Sequence, residues 1–280
     1  MVSFRYEVGR RARRVGESIA EFGDQFAFYG RSVAAVPATL RSYGGQVVRL
    51  LGEISFGSAA LLAGGGTVGV VFAMAFISSA QVGLEGSRGL GLIGLSPFAG
   101  LMSALVNTRE LAPIVASVAL AAKVGTGFTA QLGAMRISEE IDALEVMAIR
   151  SMPFLVTTRM IAAIIAVLPL YLLGLFSSYL ATRITVVWIG GQAEGTYDYY
   201  FQLLLTPRDV FLSLAKALIF AVVVTLVHCY YGYHAKGGPE GVGRAAGRAL
   251  RTSLVAIVLI DMLLTFAFWG LTPTLPGVGA

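Results

Sequence analysis

The sequence predicts an all-α integral membrane protein. Of its 280 residues, 56% are apolar and only 13% are charged, about half the charge content of an average soluble domain. The mean hydropathy is +0.76, and the apolar blocks are long enough to cross the roughly 30 Å of hydrocarbon in a bilayer. This balance argues against a soluble enzyme, and the single cysteine, Cys229, rules out an internal disulfide.

The N-terminal segment predicts an amphipathic helix over 17–55 that lies in the cytoplasmic interface and is broken at Pro37. The first 50 residues hold no apolar block long enough for a span or for the core of a signal peptide. A coiled coil is the competing interpretation. The predicted apolar face advances in steps of three and four and consists of Ile19, Phe22, Phe26, Tyr29, Val33, Val36, Leu40, Tyr43, Val47, Leu50 and Ile54.

Five apolar blocks follow, and they predict five transmembrane helices. The block at 97–134 has 38 residues and would run roughly 57 Å as a helix. It must therefore tilt, project from the membrane or kink, with Pro113 as the expected kink. A six-segment arrangement, with a re-entrant element near 90–107 and a separate span from 111, stays open. The five blocks lie near 57–82, 97–134, 154–187, 209–233 and 252–271.

The lysines and arginines predict the orientation. In the five-span arrangement 15 of the 21 lie on one side, and only Arg88, Arg183 and Arg208 lie on the other. By the positive-inside rule the N-terminus is cytoplasmic and the C-terminus is outside. Basic residues beside spans are topology and headgroup signals, so the net charge of +5 predicts no nucleic-acid partner.

An acidic loop over 135–153 stands out on the basic cytoplasmic side. Ser138 can cap a helix, and Glu139 and Glu140 then lie in its first turn, where the helix dipole favours anions. The predicted helix runs from about 139 to 149 and is too short to span the membrane, so we expect it to dock into a groove on a cytoplasmic partner. Packing on the chain's own membrane domain is the alternative.

Residues 107–149 carry the most distinctive motif of the chain. It consists of "RELAP" at 109–113, then Lys123, then "EEIDALE" at 139–145. This run resembles the signature of the MlaE/YrbE permeases, the membrane subunits of lipid-transporting ABC systems. Ala112 replaces the glycine of the family pattern, and Lys123 replaces its usual arginine.

The resemblance implies one permease domain over 1–280, with 138–150 as a coupling helix seated in a separate ATPase subunit that holds ATP and Mg²⁺. The chain has no Walker motif of its own, so we expect no enzyme activity and no bound cofactor. Ile141 and Leu144 are predicted to anchor the helix, and charge reversal at Glu140 with Leu144→Arg is expected to uncouple the complex. The residues predicted to meet basic groups of the ATPase are Glu139, Glu140, Asp142 and Glu145.

The resemblance also implies partners. The family works as a pair of permease subunits with two ATPases, and the lipid passes through an external tunnel of MCE-domain proteins. The sequence "EEIDALEVMAI" and Lys123 are most similar to the actinobacterial YrbE branch, B-type. That branch implies a heterodimer with a second YrbE-type subunit, a place in the plasma membrane, and import of fatty acids or sterols.

Ionisable residues inside the predicted spans form the candidate transport site. Each costs roughly 2.5–3.5 kcal/mol or more at the bilayer centre unless it is paired or hydrated. Four of them are predicted to reach a similar depth, about 10–14 Å below the outer surface, and to form a neutral cluster. The cluster either latches the helices or lines the polar end of a lipid path. Its predicted pairs are Arg109 with Asp261 and Glu110 with Lys216.

A secondary transporter powered by ions, with this cluster as its proton or sodium site, is the rival function. Such transporters are often built from inverted repeats, and five unequal spans do not divide into matching halves. A non-transporting scaffold is a third interpretation. His228 and His234 lack the partner residues of a metal site, so no metal site is predicted.

Overall fold

The structure of the chain is a computed structural model that describes residues 23–56 and 66–270. All of the regular structure in these two ranges is helical. In chain order the helices are α1 (23–34), α2 (Val36–Ser42), α3 (Gly44–Phe56), α4 (Gly66–Leu92), α5 (Ser96–Ile137), α6 (Glu140–Val146), α7 (Pro153–Ile189), α8 (Glu194–Leu204), α9 (Pro207–Tyr233) and α10 (Gly238–Trp269).

Five of these helices, α4, α5, α7, α9 and α10, are long and apolar enough to cross a membrane. The prediction of five transmembrane helices is therefore confirmed. Residues 57–65 of the first predicted span lie outside the described residues. Several helices continue past the apolar blocks, because polar residues remain helical once they have left the hydrocarbon; α10 begins at Gly238, well before the block that starts at 252.

Helix α5 is continuous over its 42 residues, so the structure does not contain the six-segment alternative. It does not break at Pro113. Instead, the hydrogen-bond register widens to that of a π-helix over Asn107–Leu111, directly before the proline, and again over Leu120–Gly125. Such segments insert an extra residue into a helix and are frequent at functional sites.

Helix α7 lies at the centre of the bundle and packs against α3, α4, α5 and α9, while α9 also packs against α5 and α10. Leu120, Val167, Tyr171 and Ala221 are completely buried in this core. Helix α10 is much less covered, and it exposes a row of large apolar side chains. In a membrane, lipid or another subunit must cover that row.

The N-terminal segment forms three short helices, so the prediction of one helix broken at Pro37 is wrong. The breaks fall at Ala35 and Tyr43, and Pro37 lies in the first turn of α2, where a missing N–H leaves no helical bond unmade. Because each break shifts the helical phase, the predicted apolar face divides. Its buried members are Val47, Leu50 and Ile54, its exposed members include Phe26, Val33 and Leu40, and Ile19 and Phe22 lie outside the described residues.

Candidate functional site

Lys216 of α9 is the centre of a charge cluster that joins three transmembrane helices. Its side chain is completely buried. The Nζ atom lies 2.6 Å from Asp261 Oδ1 of α10 and donates to Glu110 Oε2 of α5 at 3.1 Å. It also donates to Thr265 Oγ1 and to the carbonyl oxygen of Arg109, both at 2.8 Å. The ammonium group is thus surrounded by oxygen atoms from α5 and α10.

The Arg109 carbonyl lies in the turn of α5 that leads to Pro113, where the register is π-helical. Proline has no N–H, so this turn lacks one backbone donor. Two of its carbonyls accept hydrogen bonds from α9: that of Thr108 from Ser213 Oγ, and that of Arg109 from Lys216 Nζ. Side chains of α9 thus satisfy backbone carbonyls of α5, which couples the position of Lys216 to the backbone of α5.

A second ion pair lies beside the first. Arg109 Nη2 is 3.1 Å from Asp209 Oδ1 at the start of α9, and Trp269 Nε1 donates to the same Oδ1 atom at 2.5 Å. The Arg109 guanidinium also lies over the Trp269 ring, 5.0 Å from its centroid, which adds a cation–π contact.

The structure contains the predicted pair Glu110–Lys216 and corrects the predicted pair Arg109–Asp261. Asp261 contacts Lys216, and Arg109 contacts Asp209. The prediction failed because depth along a helix does not specify which side of the helix a residue faces.

Asp209 is the cluster member that the sequence analysis missed. Thr206 precedes α9, its Oγ1 accepts from the backbone N–H of Asp209 at 3.2 Å, and it donates to Asp209 Oδ2 at 2.7 Å. A threonine cap, a proline at 207 and an acid in the first turn together mark a helix start. This signal in the sequence could have placed Asp209 at the helix end.

The four predicted members balance in formal charge, with Arg109 and Lys216 positive and Glu110 and Asp261 negative. Asp209, which the prediction did not include, adds a third carboxylate beside Arg109. Lys123 takes no part in the cluster; it lies 14 residues beyond Arg109 in the sequence and lines a small cavity together with Glu53 of α3.

A cavity of about 460 Å³ opens beside the Arg109–Asp209 pair. Arg109 and the exposed Arg208 supply two guanidinium groups, and Thr206 and Asp209 complete the polar lining. Leu204, Phe268 and Trp269 supply an apolar wall. Because Asp209 already pairs with Arg109, Arg208 is the cation that can hold an anionic group with an apolar tail.

Helix α8 packs beside the cluster region. Tyr197 OH donates to Ser103 Oγ of α5 at 2.8 Å. Burial raises the pKa of Tyr197 to about 12, so its hydroxyl remains a proton donor at neutral pH. The same helix contributes Leu204 to the cavity wall.

Helix α6 corresponds to the predicted loop helix, but it is shorter and begins differently. It spans only Glu140–Val146, and Glu139 precedes it in the left-handed region at φ 58°. Ser138 does not cap it: Ser138 Oγ donates to the Ala134 carbonyl and to Glu140 Oε1. The cap prediction is wrong because the preceding helix, α5, continues to Ile137 and takes Ser138 into its last turn.

The predicted apolar anchors of α6 face the chain itself. Ile141 is completely buried, and Leu144 packs on the same core. Because Leu144 supports the membrane domain, Leu144→Arg would disturb that domain as well as any partner contact. The apolar side chains that α6 and the following residue do expose are Val146, 87% exposed, and Met147, 61% exposed.

The acidic residues of α6 divide into two groups. Asp142 Oδ1 lies 2.6 Å from Arg136 Nη1 of α5. Glu145 Oε1 accepts from Ser151 Oγ at 2.6 Å and from Tyr233 OH of α9 at 3.3 Å. Glu139 and Glu140 are exposed and form no ion pair within the described ranges.

The described residues contain no group of three or more histidine, cysteine, aspartate or glutamate side chains that could hold a metal ion. Two organised polar features of the described residues are the cluster between α5, α9 and α10 and the acidic helix α6. Together with five apolar helices, they define a multi-pass membrane protein with the layout of a transport subunit.

Comparison with known proteins agrees with this class. Residues 56–267 match the family described as Permease MlaE, and the chain belongs to that family. A probable ABC transporter permease protein from Rickettsia bellii is 30% identical over 264 residues, which cover 94% of this chain and 96% of that protein.

Two further relatives come from photosynthetic organisms. A probable ABC transporter permease protein from Synechocystis is 30% identical over 198 residues, 69% of this chain and 75% of that protein. The Arabidopsis thaliana protein TRIGALACTOSYLDIACYLGLYCEROL 1, chloroplastic, is 28% identical over 209 residues, 72% of this chain and 55% of that protein. The chain is thus the permease of an ABC transporter.

Proposed function

We propose that this permease moves lipid and that α6 is its contact with a partner ATPase. The observation that carries the proposal is a continuous connection between α6 and the charge cluster. Glu145 of α6 accepts a hydrogen bond from Tyr233, the last residue of α9. Lys216, on the same helix, lies 17 residues earlier, about 26 Å along the axis. A displacement of α6 can therefore reach the cluster through one rigid helix.

The surface that α6 offers to an ATPase consists of Glu139, Glu140, Val146 and Met147. The first two are exposed carboxylates without an ion pair in the described ranges, and the last two are the exposed apolar side chains. Ile141, Leu144, Asp142 and Glu145 hold α6 on the membrane domain instead.

Glu139→Lys combined with Glu140→Lys tests this contact. We expect at least a tenfold loss of ATPase recovered with the purified permease, because the two new lysines would repel the basic groups of the ATPase that Glu139 and Glu140 are proposed to contact. Glu240→Lys is the matched control, since Glu240 is an exposed acid on α10. Unchanged recovery of the ATPase with the double variant would contradict the assignment of α6.

Two observations support a lipid as the substrate. The cavity beside Arg109 combines guanidinium groups with an apolar wall, which suits an amphiphile with an anionic head, such as a fatty acid. The Arabidopsis relative is named after a galactolipid. The charge cluster forms the polar end of this path, and Lys216 and Asp261 hold it together.

Arg208→Gln tests the lipid path without breaking an ion pair of the cluster. We expect about a fivefold decrease in the anionic lipid that co-purifies, measured by mass spectrometry, because the cation that can hold the anionic head is lost. Arg88→Gln is the control, since Arg88 is an exposed arginine that pairs with Glu85 and does not line the cavity. Equal lipid recovery from both variants would contradict the path.

The remaining assignments concern the assembly. We propose a heterodimer with a second YrbE-type permease subunit, two ATPases that hold ATP and Mg²⁺, and an external tunnel of MCE-domain proteins that delivers fatty acids or sterols. The N-terminus would be cytoplasmic in the plasma membrane and the C-terminus outside, with α1–α3 in the cytoplasmic interface. The arginines at the start of α10 and the exposed Phe26, Val33 and Leu40 support this orientation.

Mass spectrometry of all proteins and lipids that co-purify with the tagged chain in mild detergent tests the assembly. We expect an ATPase, a second permease chain, MCE-domain proteins and a bound lipid. Recovery of the chain alone, even after crosslinking, would favour an ion-driven transporter instead.

A further inference from the structure

We propose that the first half of α10 is a binding site for an anionic phospholipid headgroup, separate from the transport cavity. Arg244, Arg248 and Arg251 occur in steps of four and three, so they lie on one face of the helix. All three are exposed. They form the arginine face of α10, which is defined by these three residues.

The positive charge of the arginine face is only partly compensated within the described residues. Arg248 and Arg251 form no ion pair in the part of the chain that the structure describes, and Arg244 lies 3.5 Å from Glu240 on an open surface. The Arg248 guanidinium lies 6.0 Å from the ring centroid of Tyr231. Three neighbouring cations with one weak partner favour an external anion.

The depth of Arg248 and Arg251 along α10 matches that of lipid phosphate groups. Residues 252–269 of α10 are 18 residues long, about 27 Å of helix, which is close to the thickness of the hydrocarbon core. Arg251 directly precedes this stretch, and Arg248 lies about 4.5 Å further out. The headgroup layer is about 5–8 Å thick on each side, so both arginines lie within it.

Space for a phosphate exists beside the arginines. Gly243 directly precedes Arg244 and Gly247 directly precedes Arg248, and a Cβ atom placed on either glycine would meet nothing within 4 Å. These positions and the arginines line one shallow groove. A headgroup can therefore approach the helix backbone where the arginine side chains surround it.

The same face of α10 argues against a second copy of this chain as the occupant. The intervals of three and four residues that separate the arginines continue along α10, so the same helical face carries exposed apolar residues. These are Val255, Val258, Met262 and Phe266. In a two-fold pair of copies packed along this face, arginines would meet arginines, which is repulsive. An ATPase surface does not explain Arg251 either, because that residue borders the hydrocarbon. A lipid satisfies both parts of the face, with its phosphate on the arginines and its chains along the apolar row.

The test uses the intact chain in phosphatidylcholine nanodiscs that contain spin-labelled phosphatidylglycerol. The variant Arg244→Gln/Arg248→Gln/Arg251→Gln removes the arginine face. One basic residue at a membrane surface contributes about fivefold to the binding of an anionic lipid, so we expect the preference for phosphatidylglycerol over phosphatidylcholine to fall at least tenfold, and less in high salt.

Two further variants make the result specific. Arg31→Gln/Arg41→Gln/Arg150→Gln removes the same charge from exposed arginines that lie on separate elements, and it should lower the lipid preference much less than the α10 variant, because scattered charges do not surround one headgroup. Gly247→Leu keeps every charge but fills the groove, and should weaken the preference several-fold. Equal lipid preference in both arginine triple variants would overturn the site. So would loss of ATPase recovery from the α10 variant with its lipid preference unchanged, because the face would then bind protein.

Discussion

The two ends of the transmembrane bundle use the same charged residue types in opposite ways. Between α5, α9 and α10, Lys216 is completely buried and surrounded by oxygen atoms, and Arg109 is held by Asp209 and Trp269. At the other end, Glu139, Glu140, Arg248 and Arg251 are exposed and without ion pairs in the described ranges. Buried pairs hold helices together, whereas exposed single charges are available to partners.

The largest effect is expected at the buried end. Lys216→Met leaves Glu110 and Asp261 without their cation, and breaking a buried pair in this way costs about 3–5 kcal/mol of unfolding free energy. Thermal unfolding in detergent measures the loss. Lys236→Met is the control because Lys236 is exposed, and it should change the unfolding free energy by less than about 0.5 kcal/mol. Equal stability of both variants would remove the distinction between the two ends.

An intermediate effect is expected where α5 meets α9 between the two ends. A Cβ atom on Gly125 would lie 2.5 Å from His228 Cδ2, whereas one on Gly127 would meet nothing within 4 Å. Gly125→Ala should therefore cost about 1–3 kcal/mol through overpacking. Gly127→Ala should be neutral or stabilise the helix by up to about 1 kcal/mol. Thermal unfolding in detergent compares the two variants. If Gly127→Ala lowered the stability more than Gly125→Ala, the contact between Gly125 and His228 would not be tightly packed.

The smallest effect on stability is expected at the exposed end. Arg136→Gln removes the partner of Asp142, but both side chains are well exposed, and such pairs contribute about 0–1 kcal/mol. We expect an unchanged unfolding temperature together with reduced ATP hydrolysis by the assembled complex, because α6 loses one of its attachments. A marked loss of stability would show that this end also depends on its ion pairs.

The sequence alone predicts the five spans because their signal is local: long apolar blocks separated by charged or turn-forming residues. It also predicts four of the five members of the charge cluster, since ionisable groups in hydrocarbon must be paired or hydrated. The sequence signal did not determine which of these charged residues form ion pairs with each other. Whether Asp261 meets Lys216 or Arg109 depends on helix rotation and packing, which hydropathy does not contain.

Helix α6 illustrates a second limit. The apolar periodicity identified Ile141 and Leu144 as one face, but the same pattern arises whether that face binds a partner or the chain itself. The three-dimensional packing decides, and it buries Ile141. The residues left exposed, Val146 and Met147, carry no periodic signal that would have distinguished them.

The π-helical segment at Asn107–Leu111 has a mechanical consequence for α5. It holds both Arg109 and Glu110, and it amounts to one residue more than a regular helix would fit into that turn. One residue corresponds to a rotation of about 100° around the helix axis. If the extra residue moved along the helix, the side chains it passed would turn away from α9 while the rest of α5 kept its place. A shift of the π-helical segment along α5 would therefore rotate Arg109 and Glu110 away from Asp209 and Lys216, their partners on α9, without displacing the other helices.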